Sequence, residues 1–79
     1  MRQIILRDSS GRSFSGHLSE RGEIKITEVG GEVFSGLMQP DGKIELRDGS
    51  RNLISGDLKA DHSIHLWGPD DLYIWGNLV

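Results

Sequence analysis

Apolar and polar residues alternate along most of the chain, in short segments separated by turn-forming residues. Alternation with a period of two places successive side chains on opposite faces and is typical of β-strands with one buried face. The predicted strands span residues 2–7, 13–18, 23–27, 33–38, 43–47, 53–58, 63–67 and 73–78. No window keeps the period of an amphipathic helix. The pattern therefore predicts an all-β protein.

The strands form an internal repeat. One series carries a glycine at an inward position, at Gly16, Gly36, Gly56 and Gly76, so the repeat length is 20 residues. The other series alternates Ile or Leu, as in Ile4 and Leu6. Residues 1–79 are interpreted as one repeat domain, with units at about 1–18 (closed by 73–79), 13–32, 33–52 and 53–72. The glycines are expected to leave space for large neighbours inside the sheet and to let strands bend.

Short turns between successive strands predict an antiparallel meander of β-hairpins. The first strand has the Ile-x-Leu pattern and the last has the glycine pattern, so pairing them completes a fourth hairpin and removes both sheet edges. The prediction is a small closed eight-stranded β-barrel, whose lumen side chains can fill. The residues expected inside are Ile4, Leu6, Phe14, Leu18, Ile24, Ile26, Phe34, Met38, Ile44, Leu46, Ile54, Leu58, Ile64, Leu66, Ile74 and Leu78.

A short β-solenoid or an open single-layer sheet is the alternative architecture. Residues 42–46 and 55–58 resemble strand pieces of bacterial adhesin solenoids, and residues 34–43 are similar to the hairpin of MORN repeats. Each resemblance extends over a few residues per unit and implies no function. The Pro40-Asp41-Gly42 segment favours the barrel, because proline followed by a glycine of positive φ is typical of a hairpin turn.

Composition narrows the possible functions. The net charge is −3 with acidic and basic residues interspersed, whereas nucleic-acid binding normally needs a clustered basic face. The chain has no cysteine, so disulfides and cysteine-ligated metal sites are excluded. We see neither a long apolar run nor a secretory leader in these residues. The expectation is a cytoplasmic protein that does not bind membranes, although an excised mature fragment would look the same.

Candidate catalytic or metal-binding residues are sparse. His62 and His65 are close in sequence, but strand geometry directs such positions to opposite faces, and a metal site would need Asp57 or Asp70 as a third ligand. Most carboxylates lie in predicted turns, where Asp bonds local backbone groups. No serine has the sequence context of a nucleophile. We therefore expect no enzyme activity, no cofactor and no metal.

Aromatic residues in the last unit break the repeat. Trp67, Tyr73 and Trp75 all fall on the outward face, whereas the three earlier units carry serine at the position of Trp75. The expected hairpin pairs Trp67 with Tyr73 and His65 with Trp75. Barrel closure would bring Ile5 and Arg7 beside this hairpin.

Such exposed aromatic clusters mark interaction surfaces. The predicted binding residues are Trp67, Tyr73, Trp75, His65, Ile5 and Arg7. The first hypothesis is a non-enzymatic module that binds itself, as a homo-oligomer, or another protein. The alternative function is carbohydrate binding on the same aromatic platform. A third possibility is purely structural, with the sheet folded over so that these rings are core.

Overall fold

The computed structural model describes residues 2–79, which form eight β-strands. The strands are β1 (Arg2–Asp8), β2 (Ser13–Leu18), β3 (Glu23–Glu28), β4 (Val33–Met38), β5 (Lys43–Arg47), β6 (Leu53–Leu58), β7 (Ser63–Trp67) and β8 (Tyr73–Leu78). β1 and β3 each extend one residue further than the alternation predicts. Residues 2–79 contain no helix, and therefore none that could span a membrane.

The strands close into a barrel in chain order. Each strand pairs antiparallel with the next, and β1 pairs with β8 through Leu6 opposite Gly76 and Arg7 opposite Trp75. The predicted closed barrel is confirmed, and the solenoid and open-sheet alternatives are wrong. Closure satisfies the backbone groups that the first and last strands would otherwise leave unpaired.

The inward positions form one apolar core. All but two of the residues predicted to lie inside are buried. The exceptions are Met38 and Leu58, which are only partly buried while still packing against the core. Each is the last residue of its strand, although the equivalent residues Leu18 and Leu78 are buried. Within this core the Phe14 and Phe34 rings pack with centroids 5.7 Å apart, a favourable aromatic separation.

The repeated glycines lie against the backbone of the adjacent strand. A Cβ added at Gly36 would overlap the backbone carbonyl of Glu45, and one added at Gly76 would overlap that of Ile5. The repeat positions Gly16 and Gly56 meet a neighbouring backbone in the same way. Glycine is therefore required because the backbone of the adjacent strand approaches these positions closely. The sequence did not predict this close backbone contact.

The turns use side chains to bond the backbone. Asp41 Oδ1 accepts a hydrogen bond from the Lys43 N–H, at 3.1 Å, and Asp61 accepts one from the Ser63 N–H at 3.0 Å. Asp48 Oδ1 accepts two hydrogen bonds, one from the Ser50 N–H and one from the Asn52 N–H, each at 2.9 Å. These bonds confirm the structural role predicted for turn aspartates.

Candidate functional site: an aromatic row on the outer face

Four rings lie side by side on the outer surface of the β7–β8 hairpin. His65 and Trp67 occupy the outward positions of β7, and Tyr73 and Trp75 those of β8. Trp67 is directly opposite Tyr73, and His65 is directly opposite Trp75, as the alternation predicts. We call His65, Trp67, Tyr73 and Trp75 the aromatic row.

The rings of the aromatic row stack on one another. Tyr73 is central: its ring centroid lies 5.4 Å from Trp67, 5.2 Å from Trp75 and 6.0 Å from His65. The corresponding ring planes are within 24° of parallel. His65 also stacks on Trp67 along the strand, with centroids 6.2 Å apart. Cross-strand aromatic pairs of this kind stabilise a sheet.

A hydrogen bond fixes the centre of the row. The Tyr73 hydroxyl oxygen and His65 Nδ1 share it at 2.5 Å, in a partly buried position. The bond restricts both side chains, since each ring is then held by stacking and by a polar contact. Trp67, which stacks on both His65 and Tyr73, is 50% exposed, whereas the other three side chains are less exposed. The surface offered to solvent is therefore a rigid row with one accessible indole.

The two remaining predicted site residues lie on β1 beside the aromatic row. Arg7 is directly opposite Trp75, and Ile5 is opposite Asn77. Ile5 is 48% exposed and lies diagonally from Trp75, two pairs further along the strands. Closure of the barrel thus brings β1 to the aromatic row, as the sequence predicts.

The aromatic row lies on the outside of a single closed sheet layer. Its backbone neighbours point the opposite way, with Leu66 and Ile74 buried in the core. The interpretation in which these aromatics are core is therefore wrong for Trp67, the most exposed of the four. The stacking nevertheless gives the other rings a structural role as well.

The histidines are not brought together. His17 lies on β2, and His65 belongs to the aromatic row. His62 takes a positive φ of 71° in a turn, the position held by Gly22 and Gly42 in the equivalent turns. Within residues 2–79, no group of three or more His, Asp or Glu side chains is placed to hold a metal ion.

One charged cluster was missed by the sequence reasoning. Asp8 is only 5% exposed, and its carboxylate accepts hydrogen bonds from the Ser10 hydroxyl at 2.8 Å and from Arg12 Nε at 2.6 Å. Arg12 also donates to Glu28 through Nη1, at 2.9 Å. The signal was available, because Asp8 continues the inward series of Ile4 and Leu6.

This cluster sets the ionisation of Asp8. Burial by itself would raise the pKa of Asp8, but hydrogen bonds from Ser10 and Arg12 and the positive charge of Arg12 outweigh it and lower the pKa from 3.8 to about 2. Hydrogen bonds to a carboxylate favour its charged form. Asp8 is therefore an ionised carboxylate fixed at one end of the barrel, and every one of its partners is local. The cluster therefore stabilises the fold at this end of the barrel.

Comparisons of the chain with protein-family models, curated proteins and solved structures find no match.

Proposed function

We propose that this chain is a non-enzymatic β-barrel module that acts through protein–protein interaction, foremost with a second copy of itself, and that the aromatic row is its binding surface. The observation that carries the proposal is the half-exposed indole of Trp67 in a rigid stack. Trp and Tyr are enriched among the residues that dominate binding energy at interfaces.

Rigidity supports this proposal. Ordering flexible side chains at an interface costs about 0.5–1.5 kcal/mol each. Here Tyr73 is held between its neighbours and by its hydrogen bond to His65, so much of that ordering has already taken place in the free protein. A partner that packs on Trp67 would gain apolar burial with little loss of side-chain entropy.

The surroundings also fit an interface. Ile5 extends the apolar surface along β1, and Arg7 and Asp57 supply charge at its margins. An apolar centre with a polar rim is the usual arrangement of protein interfaces.

Sedimentation velocity over a range of protein concentrations tests the proposal. We expect the wild-type mass to rise with concentration and the Trp67→Ala variant to remain monomeric while folded. Leu37→Ala is the matched control, since Leu37 is 58% exposed on β4, on the opposite side of the barrel. A wild-type protein that stays monomeric throughout, or an association unchanged by Trp67→Ala, would contradict the proposal.

Carbohydrate binding is the second candidate, and the accessible indole of Trp67 is the observation that favours it. A sugar ring needs an open aromatic face, and stacking leaves the inner rings of the aromatic row with little free face. Titration of a panel of oligosaccharides against tryptophan fluorescence tests this candidate. A saturable change that Trp67→Ala removes would support it, and no change across the panel would count against it.

A further inference from the structure

On the outer face, two of the aromatic rings lie between two residues of opposite charge. Asp57 on β6 is opposite His65, His65 is opposite Trp75, and Trp75 is opposite Arg7 on β1. These direct pairs place Asp57, His65, Trp75 and Arg7 on one line across four adjacent strands. We call this line the central row.

The two ends of the central row carry opposite charges at equal distances from its middle. Asp57 lies one strand beyond His65, and Arg7 lies one strand beyond Trp75. Neighbouring strands are about 4.8 Å apart, so three strand spacings separate the two charges by roughly 14 Å along the sheet. They are therefore too far apart to form an ion pair with each other.

Both charges remain available to a partner. Within residues 2–79, the only ion pair of Asp57 is with Lys59, at 3.7 Å, and both side chains are more than 40% exposed. Such exposed pairs contribute little and exchange readily. Arg7 forms no ion pair in the part of the chain that the structure describes, and it is exposed.

We infer that the partner at the aromatic row is a second copy of this chain, related by a two-fold axis. The axis lies in the interface, over the outer face midway between β7 and β8, and is parallel to these strands. This inference rests on the proposed function. In a two-fold interface, a contact of residue i of one copy with residue j of the other is always accompanied by the contact of j with i. With this axis, β6 of one copy faces β1 of the other. Asp57 of the first copy then lies toward Arg7 of the second, and Arg7 of the first lies toward Asp57 of the second.

The central row is thus complementary to itself. His65 and Trp75 come to the middle of the interface, with two pairs of opposite charges at its rim. Rim charges of this kind steer association and fix the register of two surfaces. The arrangement also predicts that self-association weakens as salt rises, since rim charges are screened.

Charge reversal tests the arrangement in the full chain. Asp57→Arg alone and Arg7→Asp alone each place like charges at both rim contacts, so we expect each to raise the dissociation constant by about tenfold at low salt. An equimolar mixture of the two variants restores opposite charges at both contacts. We expect the mixture to associate within about threefold of wild type, as should the double variant Asp57→Arg/Arg7→Asp.

The mixture removes the main ambiguity. Reversal at Asp57 places an arginine near Lys59, and this repulsion inside one chain is the same whether the variants are mixed or separate. Only a contact between copies is restored by mixing. Glu23→Arg and Lys25→Asp make the same charge changes on β3, far from the aromatic row, and we expect neither to alter association. Thermal unfolding of every variant checks that the barrel remains intact.

The outcomes separate this inference from the proposed function. Self-association that depends on Trp67 but shows no gain on mixing would overturn the two-fold arrangement and leave the proposed function standing. Single variants that associate as tightly as wild type would overturn it too. A monomeric wild type would overturn both.

Discussion

The β7–β8 hairpin and the β3–β4 hairpin are the same structure inside the barrel and different structures outside it. Their inward residues are Ile64, Leu66, Ile74 and Gly76 in the first, and Ile24, Ile26, Phe34 and Gly36 in the second. Their outward residues differ at every equivalent position: His65, Trp67, Tyr73, Trp75 and Asn77 stand where the second has Lys25, Thr27, Val33, Ser35 and Leu37. The core restricts one face, and the other face is free to change.

This comparison shows where specific function can arise in a repeat barrel. Inward side chains must fill a closed lumen, so each repeat carries similar residues there. Outward side chains meet water and contribute little to closure. A surface confined to one repeat, such as the aromatic row, can therefore be gained without changing the fold.

The largest effect is expected inside, where the two hairpins are alike. Gly36→Ala and Gly76→Ala should each lower the free energy of unfolding by about 3 kcal/mol, because the added Cβ would meet backbone atoms of the next strand. Urea denaturation measures both. Gly49→Ala is the control, since nothing lies within 4 Å of a Cβ there. A loss at Gly76 much smaller than that at Gly36 would break the equivalence of the two inner layers.

A second pair of equivalent positions, in the turns at one end of the barrel, differs in its hydrogen-bond partners. Asp8 and Asp48 begin equivalent turns, but only Asp8 has an arginine partner. The pKa of Asp8 is lowered from 3.8 to about 2. Since a difference of one in pKa corresponds to about 1.36 kcal/mol, the ionised carboxylate contributes about 2 kcal/mol to the free energy of unfolding. Asp8→Asn should remove about this amount at neutral pH, and Asp48→Asn should remove less.

The sign of the pH dependence follows from the direction of the shift. A lowered carboxyl pKa stabilises the folded state when the group is ionised in both states, so the contribution of Asp8 is complete above about pH 4. It is lost as the pH falls toward 2. The difference in unfolding free energy between wild type and Asp8→Asn should therefore shrink over this range. A difference that stays constant down to pH 2 would contradict the assigned ionisation.

The smallest effect is expected on the outer face, where the hairpins differ. Trp75→Ser gives β8 the residue that the equivalent position of β4 carries, and we expect a loss of about 1 kcal/mol from the stack with Tyr73. The reverse change, Ser35→Trp, should alter stability by less than about 0.5 kcal/mol, since its cross-strand neighbours are Lys25 and Arg47. Thermal unfolding of the two variants tests this. Equal effects would mean that the aromatic row is not a cooperative stack.

Alternation along the sequence predicted the strands and their two faces, and the pattern of the first and last strands favoured a closed meander over a solenoid or an open sheet. Alternation is a local property, because each residue points to the face opposite that of its sequence neighbour. Position along the strand therefore assigned Trp67 and Tyr73 to one face and Leu66 and Ile74 to the other. The out-of-phase first and last strands also predicted that Arg7 would meet Trp75. These results required no knowledge of side-chain conformation.

Contacts between side chains and between strands became visible only in the folded barrel. Ring stacking and the bond between His65 and Tyr73 depend on rotamers and strand twist. The role of Gly76 depends on how closely the strands approach, and the ionisation of Asp8 depends on the fold of its turn around Arg12. Each is a matter of a few ångströms between atoms whose positions are set only when the barrel closes. Alternation along a chain specifies which face a residue occupies, whereas contact distances belong to the assembled sheet.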